Sequence, residues 1–161
     1  MRRNRGILKR PMQGGGILKT ALHTAGILKE RHPTMIGLHV NDKTAPYTTL
    51  ILAALKTLET RFKPTLRPFI GQRVAIIRTG KGPAAIVGTV DIVAEEWIPR
   101  ASFWNFESQH LVPRGSACDV GTRAGKWAYR LENPRPLPEP IVIGSQYYTG
   151  NRTYRRLPLE F

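Results

Sequence analysis

Around residue 57 the hydrophobic period of this chain changes, and that change limits the fold more than any other feature. Apolar side chains fall at Tyr47, Leu50, Ile51, Ala54, Leu55 and Leu58, the i, i+3, i+4, i+7 spacing of a helix with one buried face. Thr44 is placed to cap its first free N–H groups, and Pro46 sits where a missing donor costs little. From Thr57 the residues alternate instead, with Thr57, Glu59 and Arg61 on one side and Leu58, Thr60 and Phe62 on the other, as a strand places them. A buried helix therefore hands over to an extended segment, and polar groups emerge together beside Lys56. An ammonium, a hydroxyl, a carboxylate and a guanidinium on a rigid support suit a polar, planar or anionic ligand. The spacing of Lys56 and Glu59 also fits a solvated ion pair worth about 0.5 kcal/mol.

Lys56-Thr57-Leu58-Glu59-Thr60-Arg61, after an apolar helix and before a β-rich stretch, resembles the K-T-x-E-x-R signature of ASCH domains. These are small β-barrels related to the PUA fold of RNA-modifying proteins. The resemblance implies an α+β architecture over residues 35–161, a PUA-like β-barrel with an amphipathic helix packed at its side. Sequences of this type often carry Gly two residues before the lysine, where Ala54 stands here. The implied function is binding of RNA or a nucleobase in a basic cleft, with Lys56 and Arg61 on phosphate or base edges and Glu59 orienting them. Some ASCH-type proteins are instead amidohydrolases of acetylated cytidine, and others are ribonucleases. In the amidohydrolase pattern a threonine nucleophile follows the lysine by three residues, and Glu59 occupies that position here. For an enzyme the catalytic candidates are then Lys56, Glu59 and Thr57, with Ser116 as a substitute nucleophile.

The balance of charge points the same way. Lys and Arg number 25 against 11 acidic residues, a formal +14, which favours polyanionic partners such as RNA or other nucleic acid. Residues 1–34 hold eight basic residues against Glu30 alone, half of that net charge. They also repeat one tetrapeptide at Gly6-Ile7-Leu8-Lys9, Gly16-Ile17-Leu18-Lys19 and Gly26-Ile27-Leu28-Lys29. Ten residues advance a helix by about 1000°, so successive Ile-Leu pairs drift by about 80° and form no apolar stripe. The segment reads as a disordered basic arm that tracks phosphates, as a repeat without a role, or as a transit peptide. No apolar run reaches transmembrane length, so no membrane is expected as a partner. The single cysteine, Cys118, excludes an internal disulfide and suits a reducing, cytoplasmic setting. Four scattered histidines offer no metal-ligand spacing, and no cofactor fingerprint appears.

Beyond the helix, Arg73-Val74-Ala75-Ile76-Ile77-Arg78 and residues 85–93 read as paired strands around the turn Thr79-Gly80-Lys81-Gly82-Pro83, with Gly88 a bulge or a close backbone approach. The turn lacks the spacing of a phosphate loop. Phe103 and Trp104 are either core or, at a groove edge, platforms for stacked bases. Leu111-Val112-Pro113-Arg114-Gly115-Ser116 spells a thrombin recognition sequence, yet no affinity tag accompanies it. As a native loop, it offers the Ser116 hydroxyl and backbone N–H groups to a ligand. Residues 126–131 alternate as a strand with Trp127, Tyr129 and Leu131 on one side and Lys126 and Arg130 on the other. Residues 133–140 are extended but too proline-rich for a central strand. Arg152 lies in a terminal stretch of interleaved tyrosines and arginines, a composition suited to stacking and phosphate contact. Lys126, Tyr129 and Arg152 complete the candidate binding set.

Overall fold

Strand pairing follows from the β-branched runs. The computed structural model describes residues 34–144 and 154–158, within a unit spanning Pro33–Phe161. Six strands, β1 (Thr34–Asn41), β2 (Leu58–Arg61), β3 (Gln72–Thr79), β4 (Ala85–Pro99), β5 (Gly125–Val142) and β6 (Tyr154–Pro158), form one sheet in the order β2-β5-β4-β3-β1-β6. β1 and β3 are parallel, and every other neighbouring pair is antiparallel. The described residues also form short helices α1 (Tyr47–Leu52) and α2 (Glu107–His110), and 3-10 segments at Arg67–Phe69 and, just before α2, Arg100–Phe106. The largest core cluster joins Leu38, Ile51, Val74, Ile76, Ile92 and Tyr129, and a second gathers Leu58, Ile98, Phe103 and Ala128.

The expected barrel is not closed. Among the described residues β2 pairs only with β5, and β6 pairs only with residues 34–38 of β1, so the terminal strands share no ladder. One feature of the gap is that β2 is only four residues long. Across it the Arg61 Nη2 donates to the His39 carbonyl of β1 at 2.8 Å, so a side chain bridges where a backbone ladder would run. This open seam holds the candidate site.

Both strands of the β4–β5 hairpin run further than the sequence suggests, through Pro99 and Val142. The proline-rich residues 133–140 belong to β5, yet β2 pairs only with residues 127–130. They therefore form a local sheet edge, where proline's missing donor is tolerated. Of the two readings of Gly88, the close approach holds: the register skips Val87 beside it while Gly88 stays paired with Ile76 and Pro136, and a Cβ at Gly88 would lie 2.6 Å from the Arg135 carbonyl oxygen.

The helix is shorter than its apolar spacing predicts. It ends at Leu52, and Leu55 is 60% exposed. Ala54 adopts a left-handed φ of 57°, and the Ala54 and Leu55 N–H groups donate to the Ile51 and Leu50 carbonyls, both at 2.9 Å. This is a Schellman stop, with alanine where glycine is usual. Thr44 forms no cap. Instead the Asp42 carboxylate accepts the Thr48 N–H at 2.9 Å and its hydroxyl at 2.6 Å. Ala54→Gly is expected to stabilise the protein by about 0.5–1 kcal/mol, because relief of left-handed strain exceeds the added freedom of the unfolded chain. Urea unfolding checks the sign, and a loss of stability would contradict this account of the turn.

Candidate functional site

The Schellman stop turns Lys56 inward. Its N–H returns to the Leu50 carbonyl at 3.0 Å, and its side chain is only 2% exposed. The ammonium donates to the carbonyls of Leu58 at 2.6 Å and His110 at 2.7 Å, and lies 3.5 Å from Glu59 Oε2. The Tyr47 ring stands 5.2 Å away. An ammonium has three donors, and here three acceptors surround it. His110, itself fully buried, fixes one of them. Its Nδ1 accepts the Val112 N–H at 3.0 Å while Nε2 lies 3.1 Å from the Phe103 carbonyl, which assigns the proton to Nε2. The ring stacks on Phe103 with centroids 4.2 Å apart. Burial, above all, lowers its pKa, and the nearby Lys56 and Lys126 ammoniums act in the same sense, so the imidazole is neutral.

β2 then alternates as expected, sending Leu58 into the second core cluster and Glu59 and Arg61 to the seam. Glu59 Oε1 meets Arg61 Nη2 at 2.7 Å. Burial alone would raise the Glu59 pKa, but Arg61, Lys56 and Lys126 outweigh it, and the carboxyl is held below its ordinary 4.5. Lys126, a binding candidate from the sequence, is buried rather than open to a ligand. It is 2% exposed, donates to the Cys118 carbonyl at 2.7 Å and lies against the Phe62 and Phe103 rings. Burial is the main cause that lowers its pKa to about 8, against the opposing pull of Glu59.

Both shifts make stability rise with pH, in two separate windows. Between about pH 8 and 10 the unfolded chain keeps the Lys126 proton that the folded chain releases. The unfolded state then binds more protons, and stability rises with pH. We expect a gain of about 1 kcal/mol across that window, read by urea unfolding, and its reduction in Lys126→Met. In acid, Glu59 contributes stability that is present above about 4.5 and drains as pH falls through its lower folded value.

Tyr47, Lys56, Glu59, Thr60, Arg61 and Cys118 line a cleft of about 100 Å³, closed by Val40, Asn41 and Val112. The seam thus joins Lys56, Glu59 and Arg61 of the sequence-derived candidates, with Lys126 just behind. Three cations face one carboxylate, and the cleft is electropositive. The other candidates stand elsewhere. Thr57 is half-buried and its backbone pairs with Gln109 and Leu131. The Ser116 hydroxyl accepts the Cys118 N–H at 3.3 Å within its own turn. Tyr129 lies in the main core, where burial and the neighbouring Glu95 carboxylate raise its pKa. Arg152 and residues 1–33 lie outside the described residues. Phe103 is core and Trp104 lies under the Arg114 guanidinium at 4.1 Å, so neither forms an open platform. Tyr47 and Cys118 are the additions. Tyr47 counts in the sequence only as part of an apolar helix face, yet its hydroxyl is buried and lies beside the Cys118 thiol.

No family model and no curated protein matches the sequence. Solved structures do match. The crystal structure of ASCH from Zymomonas mobilis aligns with 74% of this chain and 82% of its own, at TM-score 0.59 and 15% identity. A variant of that protein with tyrosine replaced by phenylalanine aligns with 75% and 86%, at TM-score 0.59 and 14% identity. One with serine replaced by alanine gives 74% and 82%, at TM-score 0.58 and 16% identity. Among the described residues no helix is long and apolar enough to cross a membrane. What this chain shares with these structures is the architecture: it has the fold of an ASCH domain.

Proposed function

We propose that this protein is an RNA- or nucleobase-binding module whose reading element is the Glu59–Arg61 pair at the open seam. The observation that carries it is an ionised acceptor and a forked donor held 2.7 Å apart in an electropositive cleft. A planar base edge presents donors and acceptors side by side, and an unstacked base of a single strand exposes that edge. Lys56 acts as the buried brace that holds Glu59 ionised. Arg61, with 23% of its side chain exposed, is the group within reach of a ligand. The Tyr47 hydroxyl supplies a further polar contact inside the cleft. The basic arm at residues 1–34 adds sequence-blind affinity for phosphates.

Hydrolysis is the competing reading, and it asks more of these residues. A lysine acting as base needs a free lone pair, whereas three acceptors hold the Lys56 protons. Glu59 occupies the place of the amidohydrolase threonine, and Thr57 does not line the cleft. The test incubates wild type and Lys56→Ala with single-stranded RNA and with acetylated cytidine. Retention of RNA without turnover of either compound is the expected result. Turnover by wild type that Lys56→Ala abolishes would make the protein an enzyme.

A further inference from the structure

The largest cavity among those described lies outside the seam. Asp42, Thr44, Thr49, Arg78, Lys81 and Gly82 line about 510 Å³ between the β1–α1 loop and the β3–β4 turn. The two cavities flank one segment: Asn41 and Tyr47 line the cleft, and Asp42 and Pro46 line this one.

Arg78 is its distinctive residue. It sits near the end of β3, in register with Val40 and Ala85, and is half-buried. Its Nε is buried without a hydrogen-bond partner, and among the described residues it forms no ion pair. The one carboxylate nearby does not serve it, because both Asp42 oxygens are engaged by Thr48. A guanidinium partly withdrawn from water and left without an acceptor calls for an anion. Lys81 brings a second cation. It is carried on a turn whose Gly80 and Gly82 adopt φ of +80° and +70°, the left-handed region that lets the chain reverse so tightly. Thr44 and Thr49 also line the cavity, and each carries a hydroxyl able to donate.

We infer that Arg78, Lys81, Thr44 and Thr49 form an anion subsite for a phosphate group. Arg78 presents its planar fork and Lys81 a mobile point charge, a pairing suited to tetrahedral oxyanions. That the phosphate belongs to a nucleotide whose base occupies the Glu59–Arg61 cleft rests on the function proposed above, but the anion subsite itself does not.

Titration of the full chain with inorganic pyrophosphate, a nucleoside and its 5′-monophosphate tests both statements. Arg78→Gln is expected to weaken pyrophosphate and monophosphate binding about tenfold or more while leaving the nucleoside unaffected. Arg61→Ala is expected to weaken the nucleoside and leave pyrophosphate unchanged. Lys81→Ala, at an exposed turn position where substitutions usually change stability by less than about 0.5 kcal/mol, is expected to reproduce a smaller part of the phosphate loss. Wild type that binds pyrophosphate through Arg78 but no nucleoside would keep the anion subsite and overturn the base cleft. No affinity for pyrophosphate in wild type, or equal affinity in Arg78→Gln and Lys81→Ala, would overturn the subsite.

Discussion

Lys56→Met is expected to lower the unfolding free energy by about 3–5 kcal/mol at neutral pH. Methionine matches the length of the lysine stem but donates nothing. The Leu58 and His110 carbonyls would each lose a bond of 2.6–2.7 Å, and Glu59, with 10% of its side chain exposed, would lose one of its two cationic partners. Orphaned buried acceptors carry their full desolvation cost, which is why removing one member of a buried pair is so damaging. The accompanying loss of the Tyr47 ring contact is minor by comparison. Glu59 keeps Arg61 at 2.7 Å in this variant, so the double-mutant cycle of Lys56→Met with Glu59→Gln measures the coupling of the Lys56–Glu59 pair alone. A change below about 1 kcal/mol would place Lys56 among ordinary surface lysines.

Arg61→Ala separates binding from folding. Glu59 keeps Lys56 as partner in this variant, and the lost guanidinium is partly exposed, so stability falls less than in Lys56→Met. Affinity for single-stranded RNA is expected to fall about 10- to 100-fold, the range for losing one base-reading arginine. Arg61→Lys should not restore it, because Nη2 alone bonds both Glu59 and the His39 carbonyl, and a lysine has no second terminal nitrogen to offer a base edge. Filter binding at fixed salt measures the effect. A loss smaller than about threefold would remove Arg61 from the interface.

How much of this was legible in the sequence depends on the range over which each signal acts. The change of period near Thr57 is local, and it placed Glu59 and Arg61 on one side of a strand beside Lys56, as observed. The end of the helix is also local but is governed by backbone conformation. Ala54 carries the left-handed turn that glycine would have announced, so apolar spacing alone extended the helix into an exposed Leu55. Tyr47 and Cys118 reach the cleft through contacts distant in sequence, and no periodic pattern marks them. The inward turn of Lys126 has the same origin, since Phe62, Phe103 and the Cys118 carbonyl surround it. Closure of the sheet was beyond reach for a further reason. Alternation identifies strands and their faces, but whether β2 meets β6 depends on where each ladder stops.

The central claim is that the seam between β1 and β2 receives a base. A titration of the isotopically labelled protein with a short single-stranded RNA, followed by backbone amide chemical shifts, addresses it directly. The account predicts that the largest shifts cluster at Asn41, Tyr47, Thr60, Arg61 and Cys118, and that they vanish in Arg61→Ala. Shifts confined to residues 1–34, with the seam amides unmoved, would contradict it.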